Sequence, residues 1–150
     1  MISADTNLFI YAYDSRNLTK QSTARLVLDA LTGREASVGL QVIGEVQNAL
    51  RKRLNAPAQV AYQLASDLLT RFVSFAYDER AVGVAIAEAS AGRLNYWDAL
   101  LLAAANEAGV RTMLSEDMAD GLVFGGLQVV NPFGPDGPTE RVRELLALYA

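Results

Sequence analysis

Four acidic residues are the side chains best placed, by type and by spacing, to do chemistry. Each follows a predicted strand or lies near the start of a predicted helix: Asp5, Glu45, Asp98 and Asp117. In a parallel sheet, the C-termini of strands and the N-termini of the following helices lie at one edge. We therefore expect the four carboxylates to converge, and a bound cation would relieve their mutual repulsion.

The available ligand types predict which cation binds and which reaction follows. The chain contains no histidine and no cysteine. Their absence excludes Ser-His-Asp triads, imidazole acid–base pairs, thiol nucleophiles and zinc sites built from those side chains. Oxygen ligands alone favour a hard divalent ion, Mg2+ or Mn2+. Such ions bridge to phosphates and activate water, so the expected chemistry is hydrolysis of a phosphodiester bond.

Each acidic residue also has an ordinary structural explanation. Taken alone, Asp5 is better explained as a helix cap, and Glu45 as a solvated helix residue. Asp98 stands at the capping-box position of its predicted helix, and Asp117 could be a turn residue. Asp120 is expected to serve the turn before the next glycine rather than a metal. The metal hypothesis rests on the shared edge, because four independent coincidences are not expected there.

Composition limits the class of protein. The chain has 150 residues, enough for one ordinary domain, with 51% hydrophobic and 20% charged residues. These values argue against disorder, and the short apolar runs argue against a membrane span. The net charge of -4 argues mildly against a broad basic face for nucleic acid but allows a local one. The lack of cysteine and of a secretory leader makes the cytoplasm the expected compartment.

Hydrophobic periodicity and turn residues divide the chain into alternating strands and helices. Strands are predicted at residues 1–4, 35–40, 72–77, 110–114 and 127–130. Helices are predicted at residues 8–13, 18–31, 41–54, 58–71, 80–91, 95–108 and 139–150. The alternation predicts an α/β fold, in which a central, mostly parallel sheet of four to five strands has helices on both faces.

A short tail is predicted to follow the main domain. Residues 1–133 form the domain, and the GPDGP stretch at 134–138 begins the tail at 134–150. Apolar residues at helical spacing continue it: Val142, Leu145, Leu146 and Tyr149. A helix this short is marginal alone, so it must dock on its own domain or on a partner, or else fray.

Basic and aromatic residues near the acids are further candidates for contact with nucleic acid. The strongest basic run is Arg51, Lys52 and Arg53, which is at least as well explained as a cationic helix end that complements the helix dipole. Arg93 is a second candidate for contact with phosphate. Trp97 is predicted to be a core residue rather than a platform for stacked bases, because it lies in an apolar run.

Five segments together resemble the PIN-domain family, and most specifically its VapC toxin type. They occur in order along residues 1–133: ADTN at 4–7, GEVQNALRKRL at 44–54, NYWDALLLAAANEAG at 95–109, LSEDMADG at 114–121 and LQVVNPF at 127–133. Order and spacing carry the resemblance, because no segment is specific by itself. The resemblance implies a three-layer PIN-like fold and a metal-dependent endoribonuclease that hydrolyses RNA.

The resemblance also implies the parts of the site and its partners. It assigns the family's acidic residues to the same four positions: Asp5, Glu45, Asp98 and Asp117. Asn7 and Ser115 receive supporting polar roles. The expected cofactor is Mg2+ or Mn2+, and the expected partners are an RNA substrate, a cognate VapB-like antitoxin and a second copy of the chain, without a membrane. Gly39 departs from the family, since relatives usually have a serine nearby, and so does the tail from Gly134 onward.

Two other classes of function use a similar set of acids. A PIN-fold domain that binds metal or serves as a scaffold, without turnover, is the main alternative. A phosphoacceptor signalling domain needs paired acids after its first strand and a lysine after its last. Asp5 has no acidic neighbour, and the only lysines are Lys20 and Lys52. A phosphatase of the DxD type fails because the second residue after Asp5 is Asn7.

Overall fold

The computed structural model describes residues 1–148. Within that range six strands form: β1 (Ile2–Ala4), β2 (Ser37–Gly39), β3 (Val73–Phe75), β4 (Thr112–Leu114), β5 (Val123–Phe124) and β6 (Leu127–Val130). Seven helices form over the same range: α1 (Thr6–Tyr13), α2 (Leu18–Thr32), α3 (Leu40–Lys52), α4 (Ala58–Arg71), α5 (Glu79–Ser90), α6 (Tyr96–Glu107) and α7 (Glu140–Leu146). Every predicted strand and helix has a counterpart; β6 and α4 have the predicted bounds, and the other elements have shifted ends.

The strands form a mostly parallel sheet, as predicted. β1 pairs with β4 and β4 with β6, all parallel, while β2 pairs in parallel with β3. A parallel bridge between Ile2 and Ala36 brings β2 beside β1, and the Ile2 N–H donates to the Glu35 carbonyl at 3.1 Å. The order across the molecule is therefore β3-β2-β1-β4-β6-β5.

One strand was not predicted. β5 has only two residues and pairs antiparallel with β6, forming a hairpin through Gly125 and Gly126. A segment so short shows no periodicity, so its sequence carries no strand signal. Gly125 has a φ of +57°, and a Cβ there would lie 2.6 Å from the Asn106 side-chain amide. The positive φ and the close contact with Asn106 of α6 both favour a residue without a Cβ at position 125.

Helix α6 is buried on nearly all sides. Seven consecutive residues are buried: Ala99, Leu100, Leu101, Leu102, Ala103, Ala104 and Ala105. Three of them join the main core with the strands: Leu101, Leu102 and Ala105. The other four pack in a second cluster with Ala81 and Ala85 of α5. Because α6 lies between α5 and the sheet, its sequence is apolar all round.

The tail docks on its own domain. Val142 and Leu146 of α7 are buried in the main core, and α7 packs against α2. The Arg34 guanidinium also donates to the Leu146 carbonyl at 2.5 Å. Tyr149 lies outside the described residues, and the domain boundary at residue 133 stays a prediction. Among residues 1–148, no helix combines the length and apolarity needed to cross a membrane.

Burial of the tail predicts a measurable loss of stability on truncating one side chain. Leu146→Ala is expected to lower the free energy of unfolding by about 2–4 kcal/mol, because it removes a fully buried side chain and leaves a cavity. Urea denaturation measures the change. Leu26→Ala on α2, where the side chain is exposed, is the matched control and should change it little. Equal effects of both variants would contradict docking of α7.

Candidate functional site

The sheet register places the first acid beside the loop after β4. Ala4 pairs with Leu114 at the ends of β1 and β4, and the Asp5 N–H donates to the Leu114 carbonyl at 3.0 Å. The loop after β4 carries Asp117, α3 carries Glu45 and the first turn of α6 carries Asp98. All four acids line one cavity of about 360 Å³, together with polar and basic side chains.

Asp5 is buried at the base of this cavity. Its side chain is only 8% exposed, and its Oδ2 accepts a hydrogen bond of 2.5 Å from Ser115 Oγ. Its Oδ1 is buried and has no hydrogen-bond partner. Asp5 stands at the N-cap of α1, yet its side chain makes no capping hydrogen bond. The Asn7 N–H still lowers the pKa of Asp5, but no capping bond of ordinary geometry forms, so capping alone does not explain this aspartate.

Burial and neighbouring charge disfavour ionisation of two of the acids. Burial raises the pKa of Asp5 to about 7; the charges of Asp117 and Asp98 add to the increase, and the Ser115 hydrogen bond opposes it. Burial likewise raises the pKa of Asp98, with contributions from Asp117 and Glu45. A cation in the cavity would offset both the lost solvation and the repulsion.

Asp98 has a structural role as well as a place in the cavity. The Asp98 N–H donates to Asn95 Oδ1 at 2.9 Å, and Asn95 Nδ2 donates to Asp98 Oδ2 at 2.7 Å. This reciprocal contact resembles a capping box, although here the Asp98 carboxylate accepts from the cap's side-chain amide. The contact lowers the pKa of Asp98 and so opposes the effect of burial. Capping and participation in the cavity therefore coexist at Asp98.

Two polar residues that the sequence reasoning did not assign to the site hold Glu45. Thr6 Oγ1 donates to Glu45 Oε2 at 2.5 Å, and Gln41 Nε2 donates to Glu45 Oε1 at 3.1 Å. Gln41 also donates to the Trp97 carbonyl at 3.3 Å, which links α3 to α6. Its position four residues before Glu45 on one helix was the available signal. Thr6 gave no comparable signal, because the sheet brings it to α3.

The residues expected to support the site contact its acids. Asn7 Nδ2 donates to Asp117 Oδ2. Ser115 Oγ donates to Asp5 and also accepts the Met118 N–H at 3.2 Å, which closes the turn containing Asp117. Both contacts fix carboxylate orientation within the first turns after β1 and β4.

The donor set fits a hard cation, although it is not a preassembled cage. Among residues 1–148, no three acidic side chains stand close enough together to form a ready coordination cluster. Two of them are held instead by neighbouring donors, Glu45 by Thr6 and Asp117 by Asn7. The unpaired, buried Oδ1 of Asp5 is the strongest indication of a missing positive partner. The cavity thus offers oxygens on one lining, and these side chains must rearrange to share one ion.

Only part of the predicted basic set reaches the cavity. Lys52 and Arg53 line it. The Arg51 guanidinium instead donates to the Ala56 carbonyl at 2.8 Å, and Arg93 forms an ion pair with Glu88 at 2.7 Å. Neither of these two arginines lines the cavity.

Two other predictions have clear structural outcomes. Trp97 was predicted to be core, which is wrong: it is 59% exposed and lines the cavity. The reason is that α6 becomes buried only from Ala99 onward, so its first turn projects beyond the sheet edge. Asp120 lies in the turn before Gly121, as expected, but its Oδ1 accepts the N–H of Asn131, which follows β6, at 2.8 Å.

Gly39 has a steric explanation. It ends β2 and is the N-cap residue of α3. A Cβ at this position would lie 3.2 Å from both Leu101 Cδ1 and the Phe75 ring. That separation is tighter than ordinary carbon contacts, so close packing of α6 and β3 at this strand end favours glycine over a serine.

The raised pKa of Asp5 predicts that removing its charge stabilises the metal-free protein. Because the folded-state pKa lies above the ordinary value of 3.8, the folded state binds the proton more tightly, and stability is lost as the pH rises toward 7. In EDTA, Asp5→Asn should therefore be more stable than wild type near pH 8, with a smaller difference near pH 4.

Urea denaturation at both pH values measures this effect. Asp136→Asn is the matched control, since Asp136 is exposed and lies outside the cavity. A destabilised Asp5→Asn variant at pH 8, or a difference that does not change with pH, would contradict the assigned cause.

Comparison with known proteins agrees with this architecture. The fold is similar to that of Mycobacterium tuberculosis VapC20, a toxin that cleaves the sarcin–ricin loop, with a TM-score of 0.63 and 16% identity over 78% of this chain and 90% of that chain. It is also similar to a chain of a toxin–antitoxin complex from Klebsiella pneumoniae, with a TM-score of 0.61 and 20% identity over 89% and 98% of the two chains. FitAcB from Neisseria gonorrhoeae gives a TM-score of 0.53 and 17% identity over 88% and 98%.

At these identities the solved structures establish the fold alone. No curated protein sequence matches the chain. A family model, that of the PIN domain, matches residues 2–119. Since that match spans most of the chain, the protein belongs to the PIN-domain family.

Proposed function

We propose that the protein is a Mg2+- or Mn2+-dependent endoribonuclease that acts as the toxin of a VapBC-type toxin–antitoxin pair. The observation that carries the proposal is the cavity at the sheet edge, which is lined by acids from four separate segments and contains the buried, unpaired Oδ1 of Asp5. Membership of the PIN-domain family supports a nuclease. The similarity in fold to a toxin that cleaves the sarcin–ricin loop supports RNA as the substrate.

Four carboxylates would hold the cation: Asp5, Glu45, Asp98 and Asp117. When bound, Mg2+ or Mn2+ would supply Lewis-acid stabilisation of the phosphate and an activated water. The chain's own contribution is orientation. Ser115 fixes one carboxylate oxygen of Asp5 and leaves the other free, while Thr6 and Asn7 orient Glu45 and Asp117.

Substrate binding would use the basic and aromatic side of the cavity. Lys52 and Arg53 extend from the end of α3 and line the cavity beside the acids, where they would neutralise RNA phosphates. Trp97 presents an exposed ring at the same cavity, suitable for stacking on an unpaired base. Lys52 and Arg53 would thus give a chain of negative net charge a local positive surface for an anionic substrate.

The partners are proposed from the comparisons and from exposed apolar surface. The Klebsiella pneumoniae relative in fold was solved as a toxin–antitoxin complex, which supports a cognate VapB-like antitoxin for this protein. Tyr62 and Leu69 of α4 are exposed and, seven residues apart, lie on one face of the helix, which supports burial of that face in a homodimer.

The alternative is a metal-binding or scaffold domain without turnover. It is favoured by one observation, the absence of three closely grouped acids among the described residues. Mn2+ binding without RNA cleavage would support this alternative over the nuclease.

Removal of one cavity carboxylate should abolish cleavage. In Mg2+ or Mn2+, Asp98→Asn and Asp5→Asn are each expected to lower the rate of cleavage of a structured RNA about 100-fold or more, because Lewis-acid stabilisation is worth several kcal/mol. Gel-resolved cleavage, with calorimetry for Mn2+ binding, measures the loss. Asp136→Asn, outside the cavity, is the control, and wild-type rates in both cavity variants would sink the proposal.

The basic residues should differ in their effect on RNA affinity. In an Asp98→Asn background, Lys52→Ala and Arg53→Ala are each expected to weaken RNA binding and to reduce the slope of log affinity against log salt by about 0.7. Arg51→Ala and Arg93→Ala should leave that slope unchanged, since neither side chain lines the cavity. Fluorescence anisotropy over a salt series measures the slope. An equal change in all four variants would contradict the assignment.

A further inference from the structure

A partly buried ion pair outside the cavity joins α2 to the loop after β4. Lys20 Nζ donates to Glu116 Oε1 and also to the Tyr11 hydroxyl at 3.2 Å. The Lys20 and Glu116 side chains are 28% and 23% exposed. Lys20 Nζ also lies 4.6 Å from the Tyr11 ring centroid and 5.8 Å from that of Phe133. We call these four residues the Lys20 cluster: Lys20, Glu116, Tyr11 and Phe133.

The aromatic side of the Lys20 cluster is rigid. The Tyr11 and Phe133 rings pack edge to face, with their centroids 5.1 Å apart. Tyr11 belongs to α1, and Phe133 follows β6. The ammonium group therefore lies against two packed rings from separate parts of the chain, and these hold it beside Glu116.

Glu116 stands between two residues that act in the acidic cavity. Ser115, on one side, donates to Asp5 Oδ2. Asp117, on the other side, lines the cavity and accepts from Asn7. Since the three residues are consecutive, an anchor on Glu116 limits how far its two neighbours can move.

Charge gives the ion pair a second consequence. Glu116 Oε2 is buried and has no hydrogen-bond partner, so Lys20 and its contact with Oε1 supply the compensation for this carboxylate. Without Lys20, an unpaired carboxylate would stand next to Asp117 and close to an acidic cavity. Repulsion would then favour rotation of the 115–117 turn away from the cavity.

We propose that Lys20 is a positioning residue for the reaction at the cavity, because it holds Glu116 and thereby fixes the turn that carries Ser115 and Asp117. This inference rests on the proposed function. Lys20 lines no part of the cavity and touches neither Asp5 nor Asp117. Its effect passes through the backbone of residues 115–117.

A purely structural ion pair would behave differently. Because the Lys20 and Glu116 side chains are only 28% and 23% exposed, loss of Lys20 alone leaves a poorly solvated carboxylate and lowers the free energy of unfolding under either role. A positioning role predicts, in the molecules that remain folded, a further loss of metal affinity and of the rate constant for turnover, since residues that orient metal ligands affect both. The two roles are separated by comparing these quantities in one variant.

The test uses the full chain, three variants at basic positions and one variant at Glu116. Lys20→Met removes the charge and keeps an unbranched side chain, and Lys20→Arg keeps the charge. Arg16→Met breaks the ion pair between Arg16 and Asp14, outside the cavity, in which the arginine side chain is 72% exposed. Lys20→Met is expected to lower both kcat and Mn2+ affinity roughly tenfold, at the low end of losses from orienting residues. KM for RNA should stay within about twofold of wild type, because no substrate contact is removed.

Rescue and an independent readout complete the expected result. Lys20→Arg should recover most of the lost kcat, and Arg16→Met should match wild type. In metal-free protein, hydrogen exchange at the Met118 amide, which is bonded to Ser115 Oγ, should be faster in Lys20→Met. Glu116→Gln weakens the same contact from the other side and should lower kcat in the same direction, which guards against misfolding of one variant.

The failures of the two proposals are distinguishable. An active wild type, with unchanged kcat, Mn2+ affinity and Met118 exchange in Lys20→Met, overturns the positioning role and leaves the nuclease intact. A loss of kcat matched by an equal fractional loss of folded protein also overturns it. A wild type that binds no Mn2+ and cleaves no RNA overturns both.

Discussion

The pairing of β1 with β4 is the contact on which the site depends. The Asp5 N–H donates to the Leu114 carbonyl immediately beyond the last strand pair, so the chain leaves both strands at the same level. Ser115 then lies within reach of Asp5, and the two form a buried hydrogen bond. The bridge that sets β2 beside β1 brings α3, with Glu45, to the same edge.

The cavity concentrates negative charge that the fold itself does not need. Asp5 is buried without a capping bond, and its pKa of about 7 records the cost of ionising it there. Natural sites often retain such unfavourable groups because function requires them, at the expense of stability. The hydrogen bonds from Thr6 and Asn7 limit this loss of stability, because they hold Glu45 and Asp117. The carboxylates are therefore oriented before a cation binds, and their negative charge is not yet compensated.

The sequence predicted the architecture well and the side-chain details less well. Helical spacing and the geometry of parallel sheets predicted that one edge of the sheet carries four acids: Asp5, Glu45, Asp98 and Asp117. This was possible because the hydrophobic period and the strand connections follow from local residue types. β5 was not predicted, because a strand of two residues shows no hydrophobic period. Thr6 was not assigned to the site, and Trp97 was wrongly placed in the core. The surroundings of both residues come from distant segments: α3 supplies the partner of Thr6, and the end of the sheet leaves Trp97 exposed.

The alanine-rich contact between α5 and α6 determines where the start of α6 lies relative to the cavity. Ala81 and Ala85 pack in one cluster with Ala99 and Ala103, so methyl groups define the spacing of the two helices. Asp98 lies one residue before this contact, on the same rigid element. A single bulkier residue there would displace the start of α6, and with it a carboxylate, without altering any residue that lines the cavity. Substitutions at these core positions can therefore change the geometry of the site during evolution, although the positions themselves line no part of the cavity.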